Sequence, residues 1–399
     1  MRLTGDPNNM NTSSEFTLYA ESVRDELLDF LRAFAPIPAP SHNEDRRVAF
    51  LLDALPKMGI EGAYVDDAKN VVIPYCVDDG SDVIVAMAHT DVVFPDATPL
   101  PFSEDETTIR CPGIGDDTAQ LAQLLFAFRY FVSRGIRPKT GIVFVANSCE
   151  EGLGNLAGSR AICEAFKGRI RAFVSVDSSC GNAYNRAVGS HRYKVTVETR
   201  GGHSWGNFGN RNAIAEAAGM IRDFYAQKVP VVEGQRTTYN VGLISGGTSV
   251  NTIAQKAEFL YEYRSTDRRC LSTMKDSFEA IIASHRSDEV KIAVDLVGER
   301  PCSGDVDKAR QGELEAMADA ACRAVFGKDI TFKAASTDAN IPLSLGIPSL
   351  TVGAVVAPGA HTREEHLEKS SLVPGLTFLL HFFDGLFGLK PDPGSRCVN

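Results

Sequence analysis

Residues 83–93 have the sequence VIVAMAHTDVV, an apolar run that ends in a histidine and an aspartate. Six consecutive apolar residues, 83–88, are typical of a short strand buried on both faces. Comparable short runs occur at 70–75, 141–146, 172–176 and 349–352, with helical patterns between several of them. Strands that alternate with helices in this way predict an α/β domain, whose sheet is covered by helices on both faces.

The positions of the helices follow from apolar residues that recur with the helical period. This periodicity predicts six helices, at 21–34, 44–55, 118–131, 157–166, 311–326 and 372–387. Pro36 should end the first helix, and Pro56 with Gly59 should end the second, because proline and glycine both interrupt helices.

The pattern changes after Asp177. Residues 178–190 are rich in Gly, Ser and Asn, so we expect a connecting segment there. The following strands and helices have the order β-α-β-β-α-β, at 191–199, 213–225, 238–245, 257–265, 271–284 and 290–297. This order predicts a ferredoxin-like α+β module inserted into the first domain. We therefore expect one domain formed by 1–188 and 303–399, and an inserted domain at 189–302.

Composition and charge exclude several classes of partner. At 399 residues the chain is too long for one ordinary core, and its 44% hydrophobic content is that of a globular protein. The net charge of -10 argues against nucleic acid. The longest apolar run, at 350–356, is too short for a membrane span, and 1–16 has no secretory apolar core. Nine cysteines without paired spacing predict reduced thiols in the cytoplasm.

Histidine or acidic residues follow five of the apolar segments. The segments contain His89 and Asp91, Asp116 and Asp117, Glu150 and Glu151, Asp177, and the sequence GAHTREEH at 359–366. Each segment also has an ordinary structural explanation. A histidine at a strand end can be hydrogen-bonded within the protein, and acidic residues can cap a helix. A pair of glutamates can lie in a solvated loop, and an aspartate can form a turn. In the last segment, His366 competes with His361 for any functional role.

Taken together, the five segments predict a metal site. The carboxyl ends of strands in an α/β sheet are where ligands gather. Two histidines and three carboxylates form the nitrogen and oxygen ligand set of zinc, namely His89, Asp116, Glu151, Asp177 and His361. One carboxylate between two ions would complete a two-metal hydrolase. Asp91 is placed to orient the imidazole of His89, and of the adjacent Glu150 and Glu151, one can bind metal while the other acts as general acid and base.

The order HTD, GxGDD, EEGxG, VD and GAHTxxE resembles the M20-type zinc peptidase and deacylase family. That family includes tripeptidase T, glutamate carboxypeptidases and acetylornithine deacetylase. The resemblance covers nearly the whole chain, including IPAPSHNE at 37–44. The stretch STDANIPLSLGIPSLTVG at 336–353 looks most like the tripeptidase T branch.

The resemblance implies a role for each residue of the site. His89 and Asp177 would bind one divalent ion, Glu151 and His361 would bind the other, and Asp116 would bridge them. Zinc is the expected metal, with cobalt or manganese as alternatives. Asp91 would orient His89, while Glu150 would activate a water and later protonate the leaving amine. The family also implies a cis peptide bond between Asp116 and Asp117.

The inserted module resembles the family's lid and dimerisation domain, which implies a homodimer. His203, in RGGHSWGNFGNRNAI at 200–214, would stabilise an oxyanion. Asn251 and Arg264 would hold the substrate, with Arg264 gripping its carboxylate. A plain loop histidine and a strand arginine in a surface salt bridge are the respective alternatives.

These expectations favour an enzyme that cleaves the amide bond of a small peptide. An N-acyl amino acid deacylase of the acetylornithine or succinyl-diaminopimelate type uses the same chemistry and is the alternative. A catalytically silent binding protein on the same fold is an alternative from another class. A thiol enzyme built on Cys149 is disfavoured, because the sequence shows no paired histidine or second cysteine near it.

Overall fold

The structure is a computed structural model that describes residues 7–390, with side chains described from Ser14 onward except that of Leu153. The strands are β1 (Tyr64–Val65), β2 (Val71–Tyr75), β3 (Val83–His89), β4 (Ser103–Glu104), β5 (Thr108–Arg110), β6 (Gly141–Asn147), β7 (Ile170–Val176), β8 (Asn182–Ala187), β9 (Gly189–Thr199), β10 (Gly202–His203), β11 (Thr237–Gly246), β12 (Thr252–Ile253), β13 (Lys256–Ser265), β14 (Val290–Arg300), β15 (Thr331–Ala335), β16 (Ser349–Val352) and β17 (His366–Glu368). The helices are α1 (Pro7–Ser22), α2 (Arg24–Phe34), α3 (Asp45–Lys57), α4 (Ala119–Ser133), α5 (Ala157–Ala165), α6 (Ala213–Ala226), α7 (Arg268–His285), α8 (Lys308–Phe326), α9 (Asn340–Ser344) and α10 (Leu372–Phe387).

The described chain forms two compact units. The first contains the residues up to Asn185 and those from Asp305 onward, and the second contains Arg186–Gly304. The expected bounds of the inserted domain, 189 and 302, lie two or three residues inside the second unit.

The first unit is built on an eight-stranded mixed sheet, in the order β1-β2-β6-β3-β7-β16-β8-β15. Its four central strands are parallel, whereas β2 and β8 run antiparallel to their neighbours β6 and β16. The predicted fold class is therefore confirmed. Because the central strands are parallel, β3, β6, β7 and β16 all end at the same edge of the sheet.

Both faces of this sheet are covered. Val83, Val85 and Met87 of β3 belong to one apolar cluster, while Ile84 and Ala86 belong to another. Successive side chains of a strand point to opposite faces, so a strand buried on both faces needs an unbroken apolar run. This requirement explains the VIVAMA sequence.

Helix α10 contradicts the expectation that no apolar segment is long enough to span a membrane. The segment Lys369–Phe387 is long and apolar enough to cross a bilayer by length and composition, although about two thirds of it is buried inside the protein. Helix α10 packs against α1, α4 and α8, as a core helix does. The statement that the longest apolar run lies at 350–356 was wrong.

Four elements depart from the predicted pattern. Helix α1 covers polar residues for which no helix was predicted, and Phe16 and Ala20 from it are buried in the core. Strand β8 lies in the segment 178–190, which was expected to be a connection, and β15 was not predicted. Helix α3 continues through Pro56 to Lys57, two residues farther than expected.

The second unit has the predicted β-α-β-β-α-β order, formed by β9, α6, β11, β13, α7 and β14. Its antiparallel sheet has the strand order β11-β13-β9-β14, with both helices contributing to one apolar core. Strand β11 lies at one edge, and its side chains Leu243 and Ile244 are each about half exposed.

Candidate metal centre

Asp116 lies between two histidines that are far apart in the chain. Its Oδ1 atom is 3.0 Å from Nε2 of His89, and its Oδ2 atom is 3.1 Å from Nε2 of His361. Each oxygen of one carboxylate therefore faces a different imidazole. This is the arrangement expected of a carboxylate that bridges two metal ions.

The other predicted ligands join the same cluster. Oε2 of Glu151 is 3.3 Å from Nε2 of His361. Ligand atoms lie within 4.8 Å of one another in three groups: His89, Asp116 and Asp177; His89, Glu150 and Glu151; and Asp116, Glu151 and His361. The structure thus brings together all five predicted ligands and Glu150. The competing His366 lies on β17 and belongs to none of these groups.

Asp91 supports the cluster in two ways, only one of which was predicted. Nδ1 of His89 is 2.9 Å from the carbonyl oxygen of Asp91 and 3.4 Å from its carboxylate. A proton on Nδ1 would leave Nε2 available as the metal ligand. The Asp91 carboxylate also accepts the backbone N–H groups of Glu150 and Glu151, each at 3.0 Å, and the Ser41 hydroxyl at 2.7 Å. Asp91 therefore holds the glutamate loop as well as the histidine.

The loop that carries Asp116 is held by Glu365, a residue that the sequence interpretation missed. Oε2 of Glu365 accepts the N–H of Gly113 at 2.7 Å, and Oε1 accepts those of Gly115 and Asp116 at 2.8 and 2.9 Å. Glu365 is fully buried. The sequence signal for it was the acidic pair that follows His361 in HTREE, which instead suggested helix capping.

The glycines of this loop have a packing reason. A Cβ atom on Gly115 would come within 2.1 Å of the Ala357 side chain and 3.1 Å of Glu365. The loop forms a wide turn over Ile114–Thr118, and the Asp116–Asp117 peptide bond is cis, as predicted. Asp117 turns away from the cluster, and its Oδ2 atom accepts the backbone N–H of His89 at 2.8 Å.

The electrostatics of the cluster favour bound cations. Burial, together with the nearby charge of Asp116, raises the pKa of Asp177 well above its usual range and also raises that of Glu151. Hydrogen bonds to Asp116 and Glu151 raise the pKa of His361 to about 10. Crowded carboxylates that retain protons indicate a surplus of negative charge, which a cation would relieve.

The donor set also fits divalent ions. Among the described residues, the buried Oε1 atom of Glu151 has no hydrogen-bond partner. Buried polar atoms are rarely left without a partner, so an ion at this position would satisfy it. Two imidazoles and three carboxylates suit zinc, and also cobalt or manganese.

A buried carboxylate from the STDAN stretch also lies near the site. Oδ2 of Asp338 accepts a 2.7 Å hydrogen bond from the side-chain amide of Asn147, at the end of β6. Burial, followed by the negative charge of Glu150, raises the pKa of Asp338 to about 8. In the sequence, this stretch stands out only by its resemblance to the tripeptidase T branch.

Cys149 does have a histidine beside it, contrary to the expectation. Its Sγ atom is 3.3 Å from Nδ1 of His42 and 3.2 Å from Oε1 of Glu44. Burial and the charge of Glu44 raise the pKa of the Cys149 thiol to about 12. A reactive cysteine needs the thiolate form, so these surroundings disfavour a thiol enzyme.

The remaining predicted residues lie in the second unit. His203 on β10 pairs with Thr252 of β12, and the N–H of Ser204 donates to the carbonyl oxygen of Asn251 at 3.0 Å. His203 and Asn251 are therefore neighbours. Arg264 donates from Nε and Nη2 to both carboxylate oxygens of Glu262, at 2.9 and 3.0 Å. This is the salt bridge that was the alternative to substrate binding.

The fold and the cluster define an α/β protein with a two-metal type of site at the carboxyl edge of a mixed sheet. The profile of the peptidase family M20/M25/M40 matches residues 85–384. The chain belongs to this family.

Curated relatives are distant. A probable carboxypeptidase of Arthroderma gypseum is 24% identical over 286 residues, which are 63% of this chain. The match spans only 60% of the length of that relative. The uncharacterized protein YqjE of Bacillus subtilis is 25% identical over 308 residues, 73% of this chain and 78% of the relative.

Solved structures share the fold over nearly their full lengths. A tripeptidase of Staphylococcus aureus has a TM-score of 0.71 at 21% identity, covering 91% of this chain and 98% of that one. The aminopeptidase PepT of Bacillus cereus has a TM-score of 0.68 at 20% identity, with the same coverage. Human carnosine dipeptidase 1 has a TM-score of 0.72 at 14% identity, covering 94% of this chain and 99% of that one. At these identities the similarity establishes the fold alone.

Proposed function

We propose that this protein is a two-metal hydrolase that cleaves the amide bond of a small peptide. The observation that carries the proposal is the position of the Asp116 carboxylate, whose two oxygens face His89 and His361. Glu150 lies in the same cluster, next to Glu151. His89 and Asp177 would hold one divalent ion, and Glu151 and His361 the other. Bound ions would polarise the amide carbonyl and lower the pKa of a water molecule.

Glu150 is the proposed general acid and base. Its backbone N–H is held by the Asp91 carboxylate, so the position of the residue is fixed by the same group that contacts His89. The carboxylate would take a proton from the attacking water and return it to the amine nitrogen that leaves. Glu151, its neighbour, would be occupied as a ligand.

His203 is the proposed oxyanion donor, and its contacts support this role. Its Nδ1 atom accepts the backbone N–H groups of Trp205 and Gly206, at 3.2 and 3.3 Å. A ring nitrogen that accepts hydrogen bonds carries no proton, so the neutral ring must carry its proton on Nε2. Nε2–H would then be the donor that an oxyanion requires.

The proposed substrate is a di- or tripeptide, with Asn251 and Arg264 as the residues that hold it. The support is the likeness to a tripeptidase and an aminopeptidase, together with the STDAN stretch. Nε and Nη2 of Arg264 donate to Glu262 in this structure. A substrate carboxylate that binds to the same two atoms would therefore have to replace the carboxylate of Glu262. An N-acyl amino acid would use the same amide chemistry.

A cytoplasmic homodimer that forms through the second unit is part of the proposal. The eight cysteines among the described residues are free thiols, which suits a reducing compartment. The exposed apolar side chains on edge strand β11 suit pairing with a second copy.

The test is to measure metal content and hydrolysis of tripeptides on dialysed protein, before and after chelation. We expect about two ions per chain, with hydrolysis lost on chelation and restored by zinc. Retention of full activity without metal would refute the proposal. A parallel assay with N-acetyl and N-succinyl amino acids separates the two substrate classes, because cleavage of those compounds alone would make the protein a deacylase.

A further inference from the structure

The first unit contains a cavity of about 640 Å³ at the edge of its sheet opposite to the metal centre. Asp82 precedes β3, Arg169 precedes β7 and Ile347 precedes β16, and all three line the cavity. Strands β3 and β7 have seven residues each, and a strand rises about 3.3 Å per residue. The cavity therefore lies on the order of 20 Å from the metal centre, at the other ends of the same strands.

The lining of this cavity is cationic. Five positive side chains and two carboxylates, those of Asp82 and Glu164, line the cavity, although the whole chain has a net charge of -10. One of the five, Lys167, forms an ion pair with Glu164 at 3.3 Å. The five are Lys167, Arg160, Arg169, Arg171 and Arg310. A positive cavity in an acidic protein concentrates a potential that favours anions.

Several of these cations are fixed in place by the fold. Arg171 is only 9% exposed, and its Nη2 atom donates to Glu313 at 2.9 Å. Arg310 donates to the carbonyl oxygen of Arg171 at 3.1 Å. Arg169 donates to the carbonyl oxygens of Ser81 and Asp78, at 2.7 and 3.0 Å. The carbonyl acceptors of Arg169 are neutral and orient its guanidinium without cancelling its charge, whereas Arg171 forms an ion pair with Glu313. Little ordering of Arg169 is therefore needed when an anion binds.

The lining also contains apolar residues. Ile341, Leu345 and Ile347, around helix α9, contribute to the cavity wall together with Cys163. Leu345 is 62% exposed, so its side chain is accessible to a ligand in the cavity. The volume falls within the range of about 300–1,000 Å³ that is typical of small-molecule sites.

We propose that this cavity binds a small organic anion, in which a carboxylate or phosphate group is joined to an apolar body. Guanidinium groups pair with either headgroup through two parallel N–H bonds, which accounts for the arginines. The apolar body would cover Leu345 and its neighbours. None of the residues that line this cavity belongs to the metal centre, so the two sites differ in chemistry as well as position.

The test titrates the full-length, metal-loaded protein by calorimetry with octanoate, octyl phosphate and the uncharged octyl glucoside. We expect at least one of the two octyl anions to bind and octyl glucoside not to bind. The anion with the higher affinity identifies the preferred headgroup, carboxylate or phosphate. The double variant Lys167→Met with Arg310→Met should bind the anion about tenfold more weakly, because it loses two charged hydrogen-bond donors. Lys57→Met, which removes an exposed lysine of α3, is the matched control and should bind normally.

Leu345→Ser tests the apolar part separately. It should weaken octyl anion binding, yet leave unchanged the dissociation constant of inorganic phosphate obtained from competition with the octyl anion. The proposal is overturned if neither octyl anion binds, if octyl glucoside binds equally well, or if the cavity variants bind like Lys57→Met. Circular dichroism of each variant shows whether it has folded, so that misfolding is not mistaken for loss of the site.

Discussion

Glu150 and Glu151 are adjacent in the chain but differ in their contacts, and this difference leads to the first prediction. Glu151 faces His361 at 3.3 Å as a proposed ligand, whereas Glu150 is proposed to move protons. Glu150→Gln should keep its metal but lose about 10²–10⁴-fold in kcat, which is the usual contribution of general acid and base catalysis. Metal analysis and steady-state kinetics on tripeptides provide the check.

Glu164→Gln is the matched control, because Glu164 is an exposed glutamate of the same unit. It should retain both metal and activity. Substantial turnover by Glu150→Gln would assign the proton transfer to another group.

Glu365 carries a second prediction at the residue scale. A carboxylate that accepts three backbone N–H groups has no neutral isostere, because the amide of Gln would point a donor at one of those donors. Glu365→Gln should therefore loosen the loop that holds Asp116. We expect zinc affinity to fall about 10- to 100-fold, as is typical when a group that supports a ligand is lost.

A competitive chelator titration measures this loss of affinity. Glu364→Gln alters the adjacent, exposed carboxyl and should leave the affinity for zinc unchanged. Equal affinities in the two variants would mean that Glu365 does not position Asp116.

At the scale of elements, the sequence predicted the strands that bear the site but not those that depend on pairing. Strand β3 is an unbroken apolar run, and such runs are visible without a structure. Strand β8, with the sequence NAYNRA, has no such signal and owes its conformation to pairing with β16. Local propensity is a weak guide wherever a tertiary contact decides the conformation.

The residues of the site also divide into those that the sequence predicts and those whose contacts depend on the tertiary fold. The clustering of the five proposed ligands could be predicted because each follows a predicted strand or lies in a family motif. The hydrogen bonds between Glu365 and the backbone of residues 113–116 connect positions about 250 apart in the chain. Likewise, the contact of His42 with Cys149 joins residues 107 apart. No local pattern reports contacts over such separations.

The turn that leads into α9 carries a prediction about pH. Burial raises the pKa of Asp338 to about 8, whereas the pKa of an aspartate in an unfolded chain is about 4. Between these values the folded state binds more protons, so this residue lowers the free energy of unfolding as pH rises from about 4 to about 8. In metal-free protein, Asp338→Asn should therefore gain stability relative to the wild type over that range.

Urea unfolding at a series of pH values measures the difference between the two proteins. The exposed Asp79→Asn should show a difference from the wild type that does not change with pH. A pH-independent difference for Asp338→Asn would show that Asp338 is ionised throughout.

At the scale of the whole molecule, the proposed dimer depends on the edge of the second unit's sheet. Strand β11 has β13 on one side only, and Leu243 and Ile244 are 51% and 52% exposed. Monomeric proteins commonly protect such an edge with charged residues or proline, whereas an edge that pairs with another copy stays apolar. The exposed pair therefore favours an interface between two copies of the chain.

Light scattering should give twice the chain mass for the wild type and the chain mass for the double variant Leu243→Lys with Ile244→Lys. Because both side chains are already half exposed, the substitutions should leave the thermal unfolding of an isolated chain nearly unchanged. Val231→Lys, at a position 90% exposed outside the strands and helices, is the control for added charge and should remain dimeric. A monomeric wild type would remove the dimer from the proposal, and a dimeric double variant would place the interface away from β11.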